Sequence, residues 1–223
     1  MARPCGERAE ATGQDPEEAA VTGLFVVFEG GDGVGKTTQV TELAQRLARA
    51  GIAHIVTRQP GGTGLGATLR GLVLDPERDV DPRAEALMYA ADKAQHVHEV
   101  VRPALSRGEV VVCDRYVDSM IAYQGAGRAL DMGEVSRVGW WAVGGLRPHL
   151  TVLLDVAPGD AVERIAAKDR LEAAGADFHE RARQHFLDLA AERPGEYLII
   201  NGREPCGEIA DRVESKVRGL LGR

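Results

Sequence analysis

The chain has 223 residues, a length that fits one large domain or two small ones with a buried core. Its formal charge of −7 argues against a nucleic-acid scaffold, because such a protein presents a basic stripe. The longest apolar run, residues 24–28, is too short to cross a bilayer. We therefore expect no nucleic-acid partner and no membrane partner, and we expect a local cationic cluster to hold any anionic ligand.

The N-terminal segment and the three cysteines bear on the location of the protein. Residues 1–22 carry five acids and two arginines among Pro, Gly and Ala, which predicts a disordered leader and no secretory signal. The cysteines are odd in number and widely spaced, so they favour neither a disulfide framework nor a zinc site. We expect reduced thiols, a cytoplasmic protein and a folded domain over 23–223.

Strands and helices alternate along the rest of the chain. Apolar runs predict strands over 24–28, 52–57, 109–114, 150–156 and 197–200. Helical spacing of apolar residues predicts helices over 38–50, 65–74, 81–105 with a kink near Pro103, 118–125, 133–143, 158–168, 178–191 and 208–221. This alternation is typical of an α/β protein with a parallel sheet and helices on both of its faces.

The strongest motif covers residues 30–37 and has the pattern G-x-x-x-x-G-K-[ST] between a predicted strand and a predicted helix. Its glycines let backbone N–H groups face phosphate oxygens, and the positive end of the helix faces the same anion. Lys36 adds a charge for the β- and γ-phosphates, and the Thr37 hydroxyl can ligate Mg²⁺. The predicted ATP-binding residues are Gly30, Gly31, Asp32, Gly33, Val34, Gly35, Lys36, Thr37 and Thr38.

This P-loop does not by itself separate kinases from other nucleotide hydrolases. A GTPase would carry an N-K-x-D motif, and the lysines that follow Lys93, Lys168 and Lys216, do not lie in one. A motor ATPase would show a strand ending in paired acids, whereas the third predicted strand ends in Asp114 followed by Arg115. An arginine directly after the acid predicts a second anion site beside the metal, as a phosphorylated acceptor requires.

Further segments match one known family in order and spacing. They are the loop 57–63, Arg70, the pair Tyr89 and Lys93 one helical turn apart, Asp114 to Tyr116 with Ser119, and Ala122 to Gly125 with Arg128. With the P-loop, they make the chain resemble the bacterial thymidylate kinases from about Leu24 to the C-terminus. The resemblance implies a three-layer P-loop NTPase fold with a five-stranded parallel sheet flanked by helices, and a homodimer.

The resemblance also implies the reaction and the residues around the phosphates. ATP and dTMP would give ADP and dTDP with Mg²⁺, a step of dTTP biosynthesis. Arg58 and Arg115 would hold the phosphate of dTMP, and Asp32 would take the deoxyribose 3′-hydroxyl. Asp114 would act on the Mg²⁺ side together with Thr37.

The same resemblance implies the residues around the base. Tyr89 would stack on thymine, and Lys93 would donate to a thymine carbonyl from the position of the family's usual arginine. Tyr123 would crowd the 2′ position of the sugar and favour deoxyribose. The other predicted acceptor residues are Arg70, Ser119 and Gln124.

The catalytic cation is the last expectation taken from the resemblance. Some thymidylate kinases carry an arginine inside the P-loop, where this chain has Gly33. A lid over roughly 164–176 would then bring Arg164, Lys168 or Arg170 over the ATP phosphates. The predicted catalytic residues are Lys36, Asp32, Arg115, Arg164 and Arg170.

Three positions depart from the family pattern on the acceptor side. Gln59 stands where a glutamate is usual, Lys93 replaces an arginine, and Met120 stands where a small polar residue usually contacts the base. The alternatives are therefore a kinase of another nucleoside monophosphate or of a nucleoside, and, from a different class, a P-loop switch that binds a protein. His96 and His98 lie two apart in a helix and predict no metal site.

Overall fold

The computed structural model describes residues 22–157, 171 and 174–222. Its strands are β1 (Leu24–Gly30), β2 (His54–Arg58), β3 (Val110–Asp114), β4 (Leu150–Asp155) and β5 (Tyr197–Asn201). Within the described residues the helices are α1 (Lys36–Arg49), α2 (Gly64–Leu74), α3 (Pro82–His96), α4 (Arg102–Ser106), α5 (Val117–Met120), α6 (Met132–Ala142), α7 (Ala176–Glu192) and α8 (Cys206–Leu220). Residues 1–21 of the predicted leader 1–22, the predicted helix over 158–168 and the predicted lid residues Arg164, Lys168 and Arg170 lie outside this description.

The five strands form one parallel sheet in the order β2-β3-β1-β4-β5, which confirms the predicted α/β fold. Strand β1 lies at the centre and is buried along its whole length, as a continuous apolar run predicts. The carboxyl ends of parallel strands meet at one edge of a sheet. Arg58 of β2 and Phe28 of β1 are both paired with Asp114 of β3 at this edge.

Separate cores cover the two faces of the sheet, because successive side chains of a strand point to opposite sides. Val26 and Phe28 belong to a core that includes apolar residues of α1 and α8. Phe25 and Val27 belong to a second core with residues of the segment that leads into β3. These faces make the three layers, and they leave the carboxyl edge of the sheet for the loops.

The long helix predicted over 81–105 is divided. Asp81 caps α3 by accepting hydrogen bonds from the backbone N–H groups of Arg83 and Ala84. A π-helical turn, Val97–Val101, then separates α3 from α4. Pro103 explains the division, because it has no N–H to donate and its ring would clash with the carbonyl one turn earlier.

A second π-helical segment, Ile121–Gly127, follows α5, where the sequence predicts an ordinary helix over 118–125. A Cβ on Gly127 would lie 2.5 Å from the ring of Phe178 on α7. The glycine therefore permits close packing of this segment on α7. No helix in the described part of the chain has both the length and the apolar character needed to cross a membrane.

Candidate active site

The P-loop connects the end of β1 to the start of α1 at the carboxyl edge of the sheet. Gly30, Gly33 and Gly35 have φ angles of 131°, 72° and 99°, which side chains disfavour. Gly35 directly precedes the first helical residue, so the free N–H groups of the first turn of α1 face the loop. The loop and the helix end therefore form the predicted cradle for an anion.

Lys36 is buried at the base of this cradle. Its ammonium donates to the carbonyl oxygen of Gly30 at 3.1 Å and also to that of Gly31. Burial lowers the pKa of Lys36 to about 8, and the neighbouring charge of Arg115 acts in the same direction. A phosphate in the cradle would stabilise the charged form of the lysine.

Thr37 and Asp114 join the P-loop to the end of β3. The Thr37 hydroxyl donates to Oδ2 of Asp114 at 2.9 Å. A hydroxyl and a carboxylate at the mouth of the cradle fit Mg²⁺, which prefers oxygen ligands and keeps waters and phosphate oxygens in its shell. The described residues hold no cluster of three His, Cys, Asp or Glu side chains suited to a metal, and a magnesium site of this kind needs none.

Arg115 follows Asp114 and has a positive φ of 67°. Its backbone N–H donates to the carbonyl of Phe28 at 2.9 Å, and its guanidinium donates to the carbonyl of Gly30 and to Oγ of Ser119, both at 3.1 Å. Burial opposes its charge, but the carboxylate of Asp32 raises the pKa of Arg115 well above its ordinary value. The guanidinium is thus held as a permanent cation beside the P-loop.

Asp32 pairs with Arg115 from inside the P-loop and also accepts a hydrogen bond of 3.1 Å from the hydroxyl of Tyr123. Burial alone would raise its pKa, but Arg115 and Lys36 hold the pKa of Asp32 below its ordinary value. Burial raises the pKa of the Tyr123 hydroxyl, which remains a neutral donor. The guanidinium carbon of Arg115 lies 5.1 Å from the centre of the Tyr123 ring.

A cleft of about 700 Å³ at the carboxyl edge of the sheet is lined by Asp32, Lys36, Thr37, Asp114 and Arg115. Arg58 and Arg70 line the same cleft, and Arg70 donates to the carbonyl of Pro60 at 3.2 Å. The cleft therefore holds several cations and the free donors of a helix end. Such an arrangement binds phosphate groups.

An inner pocket of about 100 Å³ adjoins the cleft. Asp32, Arg70 and Arg115 line both spaces, so the two are connected. The residues that line the inner pocket alone include Leu74, Tyr89, Lys93, Ser119, Met120, Tyr123, Gln124 and Leu171. Aromatic rings and apolar side chains beside a few polar groups suit a planar base.

Comparison with known proteins identifies the family. The family model for Thymidylate kinase matches residues 28–213. The thymidylate kinase of Cutibacterium acnes is 61% identical over 202 residues, which cover 90% of this chain and 99% of the relative. Those of Leifsonia xyli and Deinococcus radiodurans are 52% identical over 203 residues and 48% identical over 198 residues, covering 89% and 87% of this chain and 96% of each relative. The chain belongs to the thymidylate kinase family.

The described part of this thymidylate kinase brings the predicted site residues together. The large cleft is lined by Asp32, Gly33, Gly35, Lys36, Thr37, Thr38, Arg58, Arg70, Asp114 and Arg115. The inner pocket is lined by Tyr89, Lys93, Ser119, Tyr123 and Gln124. Arg164 and Arg170 lie outside the described residues, so their catalytic role stays a prediction.

Glu29 is a site residue that the sequence prediction missed. It is buried at the end of β1 and accepts hydrogen bonds from the backbone N–H groups of Tyr116 and Ser119, at 2.7 and 3.1 Å, and from the Ser119 hydroxyl at 2.5 Å. Burial raises the pKa of Glu29, against the effect of these donors. Because Ser119 contacts Arg115, Glu29 supports the guanidinium from behind. Its sequence signal is an acid inside a strand buried on both faces.

Glu85 was missed as well. It is buried on α3 and accepts a hydrogen bond of 2.8 Å from the side-chain amide of Gln124. Arg128 forms an ion pair of 3.2 Å with the same carboxylate. Its sequence signal is its place one helical turn before Tyr89 on the face that reaches the pocket.

A third cleft, of about 190 Å³, lies on the other side of the P-loop and was not predicted. Val34, Thr38 and Gln39 line it from the P-loop and α1, and Arg203 and Cys206 line it from the loop and helix after β5. The side-chain amide of Gln39 donates to the carbonyl of Cys206 at 3.1 Å. No local pattern joins these two segments, because they are distant in sequence and meet only in the fold.

Proposed function

We propose that the connected spaces carry out one reaction, the transfer of the γ-phosphoryl group of ATP to dTMP, which gives ADP and dTDP. This is the activity of the family to which the chain belongs. The observation that carries the proposal is the position of Arg115. Its guanidinium bonds to the carbonyl of Gly30 in the P-loop and also lines the inner pocket. One cation therefore borders the donor phosphates and the acceptor.

On the donor side, the P-loop and the first turn of α1 hold the phosphates of ATP. The nucleoside part of ATP occupies the third cleft, on the side of the P-loop away from the acceptor pocket. Thr37 and Asp114 would hold Mg²⁺ on this side, and the ion would supply positive charge that offsets the charge of the phosphoryl oxygens. The described residues of this chain hold and orient the rest of the nucleotide.

On the acceptor side, the base of dTMP enters the inner pocket beside Tyr89 and Lys93. Its phosphate lies in the large cleft, where Arg58 and Arg70 join Arg115. The sugar lies between them, next to Asp32 and Tyr123. The phosphate then points back towards the P-loop.

The chemistry is a phosphoryl transfer between two phosphates. An oxygen of the dTMP phosphate forms a bond to the γ-phosphorus, and the bond from this phosphorus to the β,γ-bridging oxygen breaks, so ADP leaves with that electron pair. Because the attacking phosphate oxygen already carries negative charge, no general base is needed. Lys36, Arg115 and the P-loop N–H groups stabilise the charge of the transition state. Arg164 or Arg170 supplies a further cation from the lid.

A second copy of the chain is the proposed macromolecular partner. Helix α3 packs against α2 and α6. These three helices expose large apolar side chains, namely Leu65 on α2, Leu87 on α3 and Met132 and Trp141 on α6, with Trp141 82% exposed. Exposed apolar side chains on adjacent helices mark an interaction surface. We assign this surface to a homodimer, which light scattering of the purified chain and of a Trp141→Asp variant would test.

We also propose that the protein works in the cytoplasm. Cys113 and Cys206 are free thiols, the first buried and the second exposed. Free thiols fit a reducing compartment. Fractionation of the native cells, with blotting for the protein, would check the location.

A coupled assay of ADP release tests the reaction. The purified full chain is mixed with Mg²⁺-ATP and, in turn, dTMP, dUMP, dCMP and other nucleoside monophosphates. The proposal expects fast turnover with dTMP and much slower turnover with dCMP. Faster turnover with another monophosphate would support the alternative kinase, and ATP hydrolysis indifferent to every monophosphate would contradict both.

A further inference from the structure

A chain of buried polar side chains runs from the inner pocket into the protein. Nζ of Lys93 donates to Oε1 of Gln59 at 3.0 Å. Nε2 of Gln59 lies 2.8 Å from Nδ1 of His96, and Nε2 of His96 lies 2.6 Å from Oγ1 of Thr57. Lys93, Gln59 and His96 are 1%, 2% and 0% exposed. The direction of each hydrogen bond is therefore decided within the protein and not by solvent.

The direction of each hydrogen bond follows from Lys93, which lies at one end of this row of side chains. The ammonium of Lys93 can only donate, so it must face the oxygen of the Gln59 amide. The nitrogen of that amide, also only a donor, then faces His96, so Nδ1 of the imidazole must accept. The ring proton consequently lies on Nε2, which donates to Thr57. One tautomer of His96 is compatible with the bound ammonium.

The ring of His96 is also held sterically. A Cβ on Gly62 would lie 2.5 Å from Cδ2 of His96 and 2.7 Å from the carbonyl oxygen of Arg58. The loop after β2 therefore lies directly against the imidazole, and only glycine permits this approach. Asp92 on α3 fixes the same loop by accepting from the backbone N–H of Gly61 at 2.9 Å. The loop, the ring and α3 form one packed unit.

Lys93 is left with donors for a ligand. Among the described residues, its hydrogen-bond acceptor is Gln59, so two of its three N–H bonds remain. It lines the inner pocket with Tyr89. Burial lowers the pKa of Lys93, while the charges of Asp92 and Glu29 oppose this effect. An ammonium so deeply buried is best satisfied by a ligand atom that accepts.

We propose that His96 and Gln59 are positioning residues that aim Nζ of Lys93 at the edge of the acceptor base. The pocket then selects a base with a carbonyl oxygen at that edge over a base with an amino group. Thymine offers the oxygen, whereas the amino group of cytosine would place a donor against a donor. This inference rests on the proposed function, because it takes the inner pocket as the site of the acceptor base.

The kinetic test compares two substitutions of His96. His96→Leu removes the acceptor, so Gln59 loses its orientation; we expect KM for dTMP to rise and the preference for dTMP over dCMP to fall, each about tenfold. KM for ATP stays unchanged, because the His96 ring lines neither the large cleft nor the third cleft. In His96→Asn, the amide oxygen can replace Nδ1, and the preference is restored. His98→Leu is the matched control, since His98 lies exposed two residues further on.

Three kinetic outcomes would overturn the inference. They are an unchanged dTMP preference in His96→Leu, equal losses in the leucine and asparagine variants, and a fall in kcat with KM for dTMP unchanged. Thermal melting of each variant shows that it is folded. If the unsubstituted chain phosphorylates no dTMP, the proposed function fails and this inference fails with it.

A second measurement needs no substrate and no substitution. Nitrogen-15 NMR of the full chain at neutral pH distinguishes the protonated nitrogen of a histidine ring from the unprotonated one. We expect the proton of His96 on Nε2, with Nδ1 unprotonated. A proton on Nδ1 would contradict the chain of donors, whatever the enzyme phosphorylates.

Discussion

The large cleft and the inner pocket hold their cations with different partners, a carboxylate in the first and a neutral amide in the second. In the cleft, Arg115 pairs with the carboxylate of Asp32, and both side chains keep some exposure, 17% and 20%. In the inner pocket, the ammonium of Lys93 is fully buried and is held by the neutral amide of Gln59. The difference follows from the ligands. A phosphate brings its own charge, while an uncharged base is recognised by the direction of its donors and acceptors.

The two arrangements also respond differently to their surroundings. A partly exposed pair such as Arg115 and Asp32 is weakened by salt, whereas hydrogen bonds between buried groups are screened much less. A buried chain depends on correct orientation instead, because one reversed amide leaves two donors facing each other. Substitutions in the first region should therefore change rates, and those in the second should change selectivity and protonation.

The largest effect is expected from removing the shared cation. Arg115→Ala should lower kcat/KM for dTMP by about 10³-fold, because the cation beside both phosphates is lost in the transition state. Steady-state kinetics with ADP detection measures it. Arg107→Ala, which breaks an exposed pair with Glu109, is the control. A loss of only a few-fold would show that the lid supplies the dominant charge.

The support behind this cation is expected to matter for stability. Glu29→Gln keeps one acceptor oxygen for the backbone N–H groups of Tyr116 and Ser119 but replaces the other, which accepts from the Ser119 hydroxyl, with an N–H donor. We expect a loss of about 3 kcal/mol in the free energy of unfolding, measured with urea. Glu77→Gln provides the exposed control. Equal stability of the two variants would mean that Glu29 is not the acceptor on which Ser119 depends.

A further difference between the two regions is the low pKa of His96, which contacts Gln59 behind the inner pocket. Burial lowers the pKa of His96 to about 4, and Lys93 acts in the same direction. Since the unfolded chain binds this proton near pH 6.5, His96 makes the fold less stable as pH falls from about 6.5 to about 4. Gln59→Glu supplies a carboxylate that faces both Lys93 and the ring, so it should raise the pKa of His96 by about 2.

An NMR titration of the His96 ring in both chains measures this change directly. Thermal unfolding across the same pH range should show a smaller acid-side loss of stability in Gln59→Glu than in the unsubstituted chain. His149, whose pKa burial also lowers, serves as an internal reference in both titrations. An unchanged titration of His96 would mean that the ring does not face residue 59.

The smallest effect is expected at the glycine that lies against the ring. Gly62→Ala places a methyl group against His96 and the backbone of Arg58, and should cost about 1 kcal/mol of stability by displacing the loop. The preference for dTMP over dCMP should fall with it. Gly64→Ala is the matched control, because a Cβ there meets nothing within 4 Å. If Gly62→Ala and Gly64→Ala changed stability and the dTMP preference equally, the loop after β2 would have no role in positioning His96.

The sequence predicted most of the fold because its signals are local. Strands buried on both faces show as apolar runs, and their observed bounds differ from the predicted ones by at most two residues. The P-loop needs only a short pattern with correct flanks. Parallel strands then bring Arg58, Asp114 and Arg115 to one edge without further information.

What the sequence did not predict depends on contacts between distant segments. A π-helical turn of five residues has almost the apolar spacing of an α-helix, so 97–101 and 121–127 gave no separate signal. Glu29 directly follows an apolar run, and its partners lie about ninety positions away. The contact of Gln59 with His96 requires the docked loop after β2. The position of Arg203 in the third cleft likewise depends on the meeting of two chain segments.

Strand β1 also affects how the two substrates are placed relative to each other. Its last residue begins the P-loop, while Arg115 is tied to it twice, by its backbone at Phe28 and by its guanidinium at Gly30. The P-loop and Arg115 are thus both attached to the central strand of the sheet. In the proposed reaction, this common attachment fixes the separation of the P-loop and Arg115, and with it the distance between the donor and acceptor phosphates.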